Sequence, residues 1–408
     1  MKDIEPGDMA RQEFVCNKIK GILERYGFRL VEPTALENFE TLAAKAGEEI
    51  EKEIYAFKDK SNRKIALRFD LTVGLARMVA NSSYPRPVKL ACISNMWRYE
   101  RPQYARYREF WQWDAEIFGS GVEGDAEIIA LTCDMLDSFG LDYEIRISNR
   151  KLVEGILLGL GVKKRDLLAV LRLIDKSSKT PEKELVKELK RYIKNTDEII
   201  KLGKIRGNVS LLNKIKAKNE LAKAGREEIE QLFSALMTFG KSDKCIIDLS
   251  IVRGIDYYTG LVYEAWIKGD EKLGAIAGGG RFDDLMALYG NPMPATGIAG
   301  GIERLMLSLK ELSIESKPKI LVVYINNFEK AIEITQRLRE NGISASIDLN
   351  RRGLSKQLDY ANKLGVAFIV IVGPEELKEG KVRLRDMVNG KEKDIKIDDL
   401  LKEIDKLV

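Results

Sequence analysis

The 408-residue chain contains no histidine. Any zinc site would have to be built from cysteines and carboxylates alone. The four cysteines (Cys16, Cys92, Cys133 and Cys245) form no CxxC pair. That spacing argues for a reducing compartment and against a disulfide scaffold or structural zinc, so no protein metal site is expected. No apolar run approaches the roughly 18–20 residues a membrane span needs. The opening stretch MKDIEPGDMARQ lacks the apolar core of a secretion signal. A cytoplasmic protein with no membrane association is the expectation. GxxxxGK[ST] is absent and no convincing GxGxxG is present, so a bound nucleotide would not sit on a P-loop. Without an imidazole, the chain has no side chain whose ordinary pKa falls near neutrality. An inflection in activity there is therefore expected to come from a substrate.

What is present reads as a soluble globular protein of more than one domain, with 45% hydrophobic and 32% charged residues. The net charge of +5 is unevenly placed. Lys163–Glu230 holds 19 Lys and Arg against 11 Asp and Glu, leaving the rest slightly acidic. A basic surface of this kind suits nucleic-acid phosphates.

Met9–Tyr26 has helical spacing of Phe14, Val15, Ile19, Ile22 and Leu23. GFRLVEPTALE predicts a strand ended by Pro33. Lys64–Ala80 predicts a strand running into a helix. VKLACISNMWRYERP and REFWQWDAEIFG predict an antiparallel hairpin around an arginine-rich loop. From about Val162 the pattern becomes helical and lysine-rich, as in an inserted module. Strand signals resume at KCIIDLSIVRGIDYYTGLVYEAWI. After a linker at SIESKPK, strands alternate with helices, which predicts a separate α/β domain. Its last hairpin is expected to turn at Asn389-Gly390 in a type I′ turn.

IVRGIDYYTG places Arg253 directly before Gly254, and Asp256, Tyr257 and Tyr258 between Gly254 and Gly260. One ligand must need a cation, a carboxylate and a phenol together. Alternation sends the two tyrosines to opposite faces, so only one can reach it. In the hairpin, alternation puts Phe110, Gln112, Asp114 and Glu116 on one face, and Arg98 with Glu100 on one face. Arg86, Arg101, Arg106 and Arg108 crowd the same region. A guanidinium suits phosphate oxygens, and a phenyl ring suits a purine. AGGGRF and GIAGGIERL are expected where backbone approaches a ligand closely. Arg304, in the first turns of the helix opened by GGIERL, can lie over an adenine or reach a γ-phosphate.

These stretches resemble a known family. RYERP…RYREF, GIERL and GFRLVEPTALE are similar to motifs 2, 3 and 1 of class II aminoacyl-tRNA synthetases. IVRGIDYYTG and AGGGRFD resemble the two signature motifs of the histidyl-tRNA synthetases. RGLSKQLDYANKLGVAFIVIVGPEELKEGKVRLRDM is similar to that family's anticodon-binding domain. The likeness covers nearly the whole chain. It implies an α+β catalytic core on a mostly antiparallel sheet (1–162 and 243–315), a helical insertion (163–242) and a C-terminal α/β anticodon-binding domain (318–408). It implies L-histidine, ATP with Mg²⁺ and tRNA(His) as partners, and a homodimer joined through motif 1.

The resemblance also implies residue roles. Glu116 and Tyr258 would read the imidazole, and Asp70, Thr72 and Gln112 would hold the α-ammonium. Arg98 and Arg253 would be catalytic, facing the α-phosphate. Arg98, Glu100, Arg106, Tyr107, Phe110 and Arg304 would bind ATP, with Phe110 and Arg304 on either side of the adenine. The loop Gln103–Arg106 would face the acceptor end, the insertion the acceptor stem, and the C-terminal domain the anticodon loop. The sequence departs from the family at Phe282, often tyrosine, and at Trp111, commonly histidine. Asp70 stands where bacterial members have glutamate, as in archaeal and eukaryotic types. Two alternatives share much of this pattern. One is a histidine-sensing regulatory subunit of ATP phosphoribosyltransferase. The other is a prolyl, threonyl or glycyl synthetase.

Overall fold

A computed structural model describes residues 3–43, 52–100, 104–177, 180–252, 258–309 and 319–407. The chain divides into two compact bodies, Met1–Ser313 and Ile314–Val408.

Among the described residues the first body has twelve strands: β1 (Arg29–Leu30), β2 (Leu36–Asn38), β3 (Ala56–Lys58), β4 (Lys64–Leu67), β5 (Val88–Trp97), β6 (Glu109–Phe118), β7 (Tyr143–Asn149), β8 (Arg206–Gly207), β9 (Cys245–Asp248), β10 (Leu261–Ile267), β11 (Ala277–Arg281) and β12 (Ala295–Gly301). Nine form one sheet in the order β1-β5-β6-β12-β11-β10-β7-β9-β8, and β2-β4-β3 form a small second sheet. Only the β1–β5 and β7–β9 pairs are parallel. The expected mostly antiparallel core is present.

Period-two alternation divides the sheet's two faces. Ala91, Trp113, Ala115, Ile117, Ile145 and Ile147 join the large core under helices Pro6–Arg25 and Val122–Ser138. Leu90, Phe118, Val262 and Ala295 join a second core with Leu75, Val79, Leu285 and Met286. Between and beyond these apolar anchors, the second face carries the polar residues of β6.

The predicted first strand is shorter than its sequence suggests. Arg29–Leu30 alone pairs with β5, and Leu36–Asn38 joins the small sheet instead. The break falls at Pro33, which has no N–H to donate to a ladder.

The basic segment is helical, with helices Leu167–Asp175, Glu182–Leu189, Asp197–Leu202 and Glu220–Thr238. Their apolar faces share the large core. Helix Glu220–Thr238 crosses helix Arg150–Gly159 at very short range. A Cβ on Gly155 would lie 2.5 Å from the Ala222 nitrogen, and one on Gly225 would lie 2.3 Å from the Leu152 nitrogen. Asn149 and Asn219 cap the two helices through the N–H groups of Leu152 and Ala222, at 3.2 and 2.9 Å.

The second body has strands β13 (Ile320–Tyr324), β14 (Ala345–Ile347), β15 (Phe368–Val372), β16 (Lys381–Asp386) and β17 (Glu392–Lys396), in the order β14-β13-β15-β16-β17. β13 is parallel to both neighbours, whereas β16 and β17 form an antiparallel hairpin. That hairpin departs from expectation. Of Asn389 and Gly390 only Gly390 has positive φ, at 71°, so the turn is not type I′. A longer loop is organised by Asp386, whose carboxylate accepts from the N–H groups of Val388 and Asn389 at 2.8 and 3.2 Å. The SIESKPK linker falls almost wholly outside the described residues.

Candidate active site

One cavity opens on the polar face of the nine-stranded sheet. Asp70, Thr72, Arg98, Glu100, Arg106, Tyr107, Phe110, Gln112, Glu116, Tyr258 and Arg304 all line it. They come from β6, the segment between β5 and β6, the start of helix Thr72–Ala80, the segment leading into β10 and helix Ile302–Ser308. Arg253, Asp256, Tyr257, Arg101 and Gln103 lie outside the described residues.

The inner end of the cavity is acidic. Glu116 is 1% exposed, and its Oε1 accepts from the Thr72 hydroxyl at 2.6 Å. Among the described residues its Oε2 has no hydrogen-bond partner, and neither has Asp114 Oδ1. Such buried orphan acceptors are costly unless something else supplies a donor. Burial, and then the nearby Asp114 and Asp70 charges, hold the Glu116 carboxyl well above the usual range. Burial, followed by Asp70, does the same to Asp114, against the pull of Arg98 and Arg68. Asp70 Oδ1 accepts from the Val73 N–H at 3.1 Å, which fixes it at the start of its helix.

Glycine makes room for these groups. A Cβ on Gly297 would sit 1.5 Å from Glu116 Oε2, one on Gly280 2.9 Å from the Tyr258 ring, and one on Gly300 2.4 Å from Trp113 Nε1. Backbone also approaches these stretches closely: a Cβ on Gly279 would lie 1.9 Å from the Gly297 carbonyl oxygen. The ligand face of the cavity still includes Gly278, Gly297 and Gly301.

The outer end is cationic. Arg98 Nε donates to the Phe69 carbonyl at 2.9 Å, and its guanidinium lies 5.3 Å from the Phe110 ring centre. Arg106 pairs with Glu100 at 3.2 Å. Arg304 Nη1 donates to the Ala275 carbonyl at 2.7 Å. Of the other hairpin arginines, Arg108 stacks over Tyr99 and Arg86 donates to Asn291 Oδ1 at 2.7 Å. Neither lines the cavity.

Glu303 and Phe282 are among the lining residues outside the predicted binding set. Glu303 accepts from the Trp111 N–H at 2.8 Å, and burial raises its carboxyl. Phe282 is buried edge-on against Phe118, with centroids 6.1 Å apart. Both sit in stretches already singled out, but Phe282 follows β11 and Glu303 opens a helix, so their inward direction is set by how those elements pack on the sheet.

Asp125 lies behind the site, fully buried between Arg281 and Thr296. Its Oδ2 accepts from Arg281 Nε at 3.1 Å and its Oδ1 from the Thr296 hydroxyl at 2.6 Å. Burial outweighs these partners and raises its carboxyl to about 6. Asp125 is therefore a group of the protein, besides the substrate imidazole, whose titration is moved towards neutrality. Burial does this without any imidazole.

An antiparallel sheet with a two-strand arginine hairpin, closed by a helix that adds one more arginine, defines a class II aminoacyl-tRNA synthetase fold. The chain belongs to the histidyl-tRNA synthetase family, whose profile matches residues 1–305. An anticodon binding domain profile matches 319–407. The histidine–tRNA ligase of Thermococcus kodakarensis is 40% identical over 422 positions, covering 99% of this chain and 96% of that protein. The crystal structure of histidyl-tRNA synthetase from Nostoc sp. PCC 7120 is similar, with a TM-score of 0.86 at 29% identity, covering 100% of this chain and 98% of that chain. A Bacillus halodurans structure titled as an ATP phosphoribosyltransferase regulatory subunit/histidyl-tRNA synthetase has a TM-score of 0.79 at 22% identity, covering 91% of this chain and 97% of that one. That last likeness is one of fold.

Proposed function

We propose that the cavity activates L-histidine with ATP, and that the histidyl group then passes to the 3′ end of tRNA(His). The observation that carries this reading is the buried Glu116 carboxyl group, with one oxygen unpartnered among the described residues, lining the same cavity as Tyr258. A neutral imidazole has one N–H donor and one acceptor nitrogen. Glu116 takes the donor, and the Tyr258 hydroxyl serves the acceptor. A site built this way rejects apolar analogues by about 10⁴–10⁵, because its polar groups would be left unpaired.

The acidic cluster suits the α-ammonium. Thr72 spends its proton on Glu116, so its oxygen is left to accept from the ammonium alongside Asp70 and Gln112. The histidine carboxylate is already a nucleophile and needs no general base. One of its oxygens attacks the α-phosphorus in line, the bond to the bridging oxygen breaks, and pyrophosphate leaves. The protein aligns the two and stabilises charge on the five-coordinate phosphorus. Arg98 and Arg253 supply that charge. Phe110 and Arg304 hold the adenine, with Glu100, Arg106 and Tyr107 around the phosphates.

Among the described residues no cluster of three or more acidic or thiol side chains could hold a metal alone. Mg²⁺ is commonly held by one or two carboxylates plus substrate phosphates, and Glu100 and Glu303 offer carboxylates on the cavity wall. With the ion bound there, those carboxylates would hold further positive charge near the pyrophosphate. The tRNA would meet the basic helical segment and the second body, in a homodimer. Among the described residues no helix is long and apolar enough to cross a membrane.

The test is histidine-dependent ATP–pyrophosphate exchange, with the other nineteen amino acids as controls and Arg253→Ala alongside. Exchange with histidine alone, lost in the variant, is expected. Histidine binding without exchange would favour the regulatory-subunit reading instead.

A further inference from the structure

Tyr258 is held by a residue that does not itself line the cavity. Asn149 ends β7, and Arg150 and Lys151 open the next helix. The two outer residues of this triplet grip one carboxylate. Asn149 Nδ2 donates to Glu228 Oε2 at 2.6 Å, and Lys151 Nζ donates to Glu228 Oε1. Glu228 belongs to helix Glu220–Thr238, which the Gly155 and Gly225 contacts lock against the helix Arg150 opens.

The middle residue works in another direction. Arg150 Nη1 donates to the Tyr258 carbonyl at 3.0 Å, and its backbone N–H donates to the Gly260 carbonyl at 2.8 Å. Its Nε donates to Glu154 Oε1 at 2.7 Å, which orients the guanidinium. Arg150 thus brackets the Tyr258–Gly260 segment at both ends. The Tyr258 ring, 6% exposed, rests where only glycine at position 280 leaves room. A ring so confined moves when its backbone moves. A charge-assisted bond to the Tyr258 carbonyl constrains that backbone, together with the bond from the Thr259 N–H to the Arg281 carbonyl at 2.8 Å.

We propose that Arg150 is a positioning residue for histidine recognition, with Glu154 setting its guanidinium and Glu228 anchoring its segment to helix Glu220–Thr238. The proposal rests on Tyr258 serving the imidazole. It adds a determinant that touches neither histidine nor ATP and acts only through the placement of the Tyr258 hydroxyl.

The test is histidine-dependent exchange by the full chain, with the Michaelis constants for histidine and ATP measured separately. Arg150→Ala is expected to raise the histidine constant about tenfold, the scale of one lost charge-assisted hydrogen bond. The ATP constant and kcat should stay within about twofold, the range of an untouched step. Arg150→Lys keeps one cationic donor and should recover part of the loss. Glu154→Gln, which leaves the arginine in place, should shift the histidine constant in the same direction by less. That variant also carries the test if Arg150→Ala does not fold. An unchanged histidine constant in all three variants, or an equal rise in both constants, would overturn the proposal. If the unaltered chain shows no histidine-dependent exchange, the reading of the cavity falls and this inference falls with it. Exchange that is intact but indifferent to Arg150 removes the inference alone.

Discussion

At the scale of single residues, the cavity is a problem in buried charge. Glu116→Gln keeps the shape but puts an amide where a carboxylate faced the imidazole N–H. We expect kcat/KM for histidine to fall by about 10–100-fold, the value of a hydrogen bond to a charged group, with the ATP constant little changed. Pyrophosphate exchange checks both. Gly297→Ala would force a methyl into Glu116 Oε2 on a strand paired on both sides. Loss of measurable histidine binding by calorimetry is the expected outcome. Asp125 has a third signature. Its folded-state pKa, about 6, lies above its ordinary value of 3.8. Between those values the folded chain keeps a proton that the unfolded chain has released. The stability this group contributes is thus complete below pH 3.8 and is lost as the pH rises through 6. Thermal unfolding from pH 4 to 7 should show a shallower decline in Asp125→Asn than in the unaltered chain.

At the scale of elements, the helix crossing at Gly225 sets two effects against each other. Alanine improves helix propensity over glycine by about 1 kcal/mol, but its methyl meets the Leu152 nitrogen and the Asn149 side chain. Overpacking costs about 1–3 kcal/mol, and the neighbours here are backbone and a cap, so it wins. Gly225→Ala should lower the denaturation midpoint without altering the slope in denaturant. Much at this scale was legible beforehand. The alternation of Phe110, Gln112 and Glu116 announced one face of β6, because a strand's period is two and each of these residues is polar or aromatic. The lysine-rich segment announced helices for the same kind of reason. Long-range register was not legible. Nothing local says that Glu228 meets Asn149 and Lys151, or that Gly297 lies under Glu116. Those contacts exist because distant strands pair and distant helices cross. The missed loop at 387–391 has a local cause, since a carboxylate at Asp386 competes for the N–H groups a tighter turn would use.

At the scale of the whole molecule, the two bodies have separate apolar cores, one around β13 and β15 and one under the nine-stranded sheet. Removing 314–408 is expected to leave histidine-dependent exchange within about threefold and to cut tRNA charging by about 100-fold or more, a loss of roughly 2.7 kcal/mol. Parallel exchange and charging assays decide it. The thiols offer a practical opening at the same scale. Cys92, Cys133 and Cys245 are buried, and burial pushes the half-buried Cys16 up to about 11. Since the thiolate is the reactive form, a maleimide dye should pass over the native cysteines. Met237 and Val388, at 70% and 89% exposure, stand one on each body. A donor and an acceptor dye on Met237→Cys and Val388→Cys would make the chain its own ruler, reading by energy transfer how the spacing of the two bodies changes as tRNA is added.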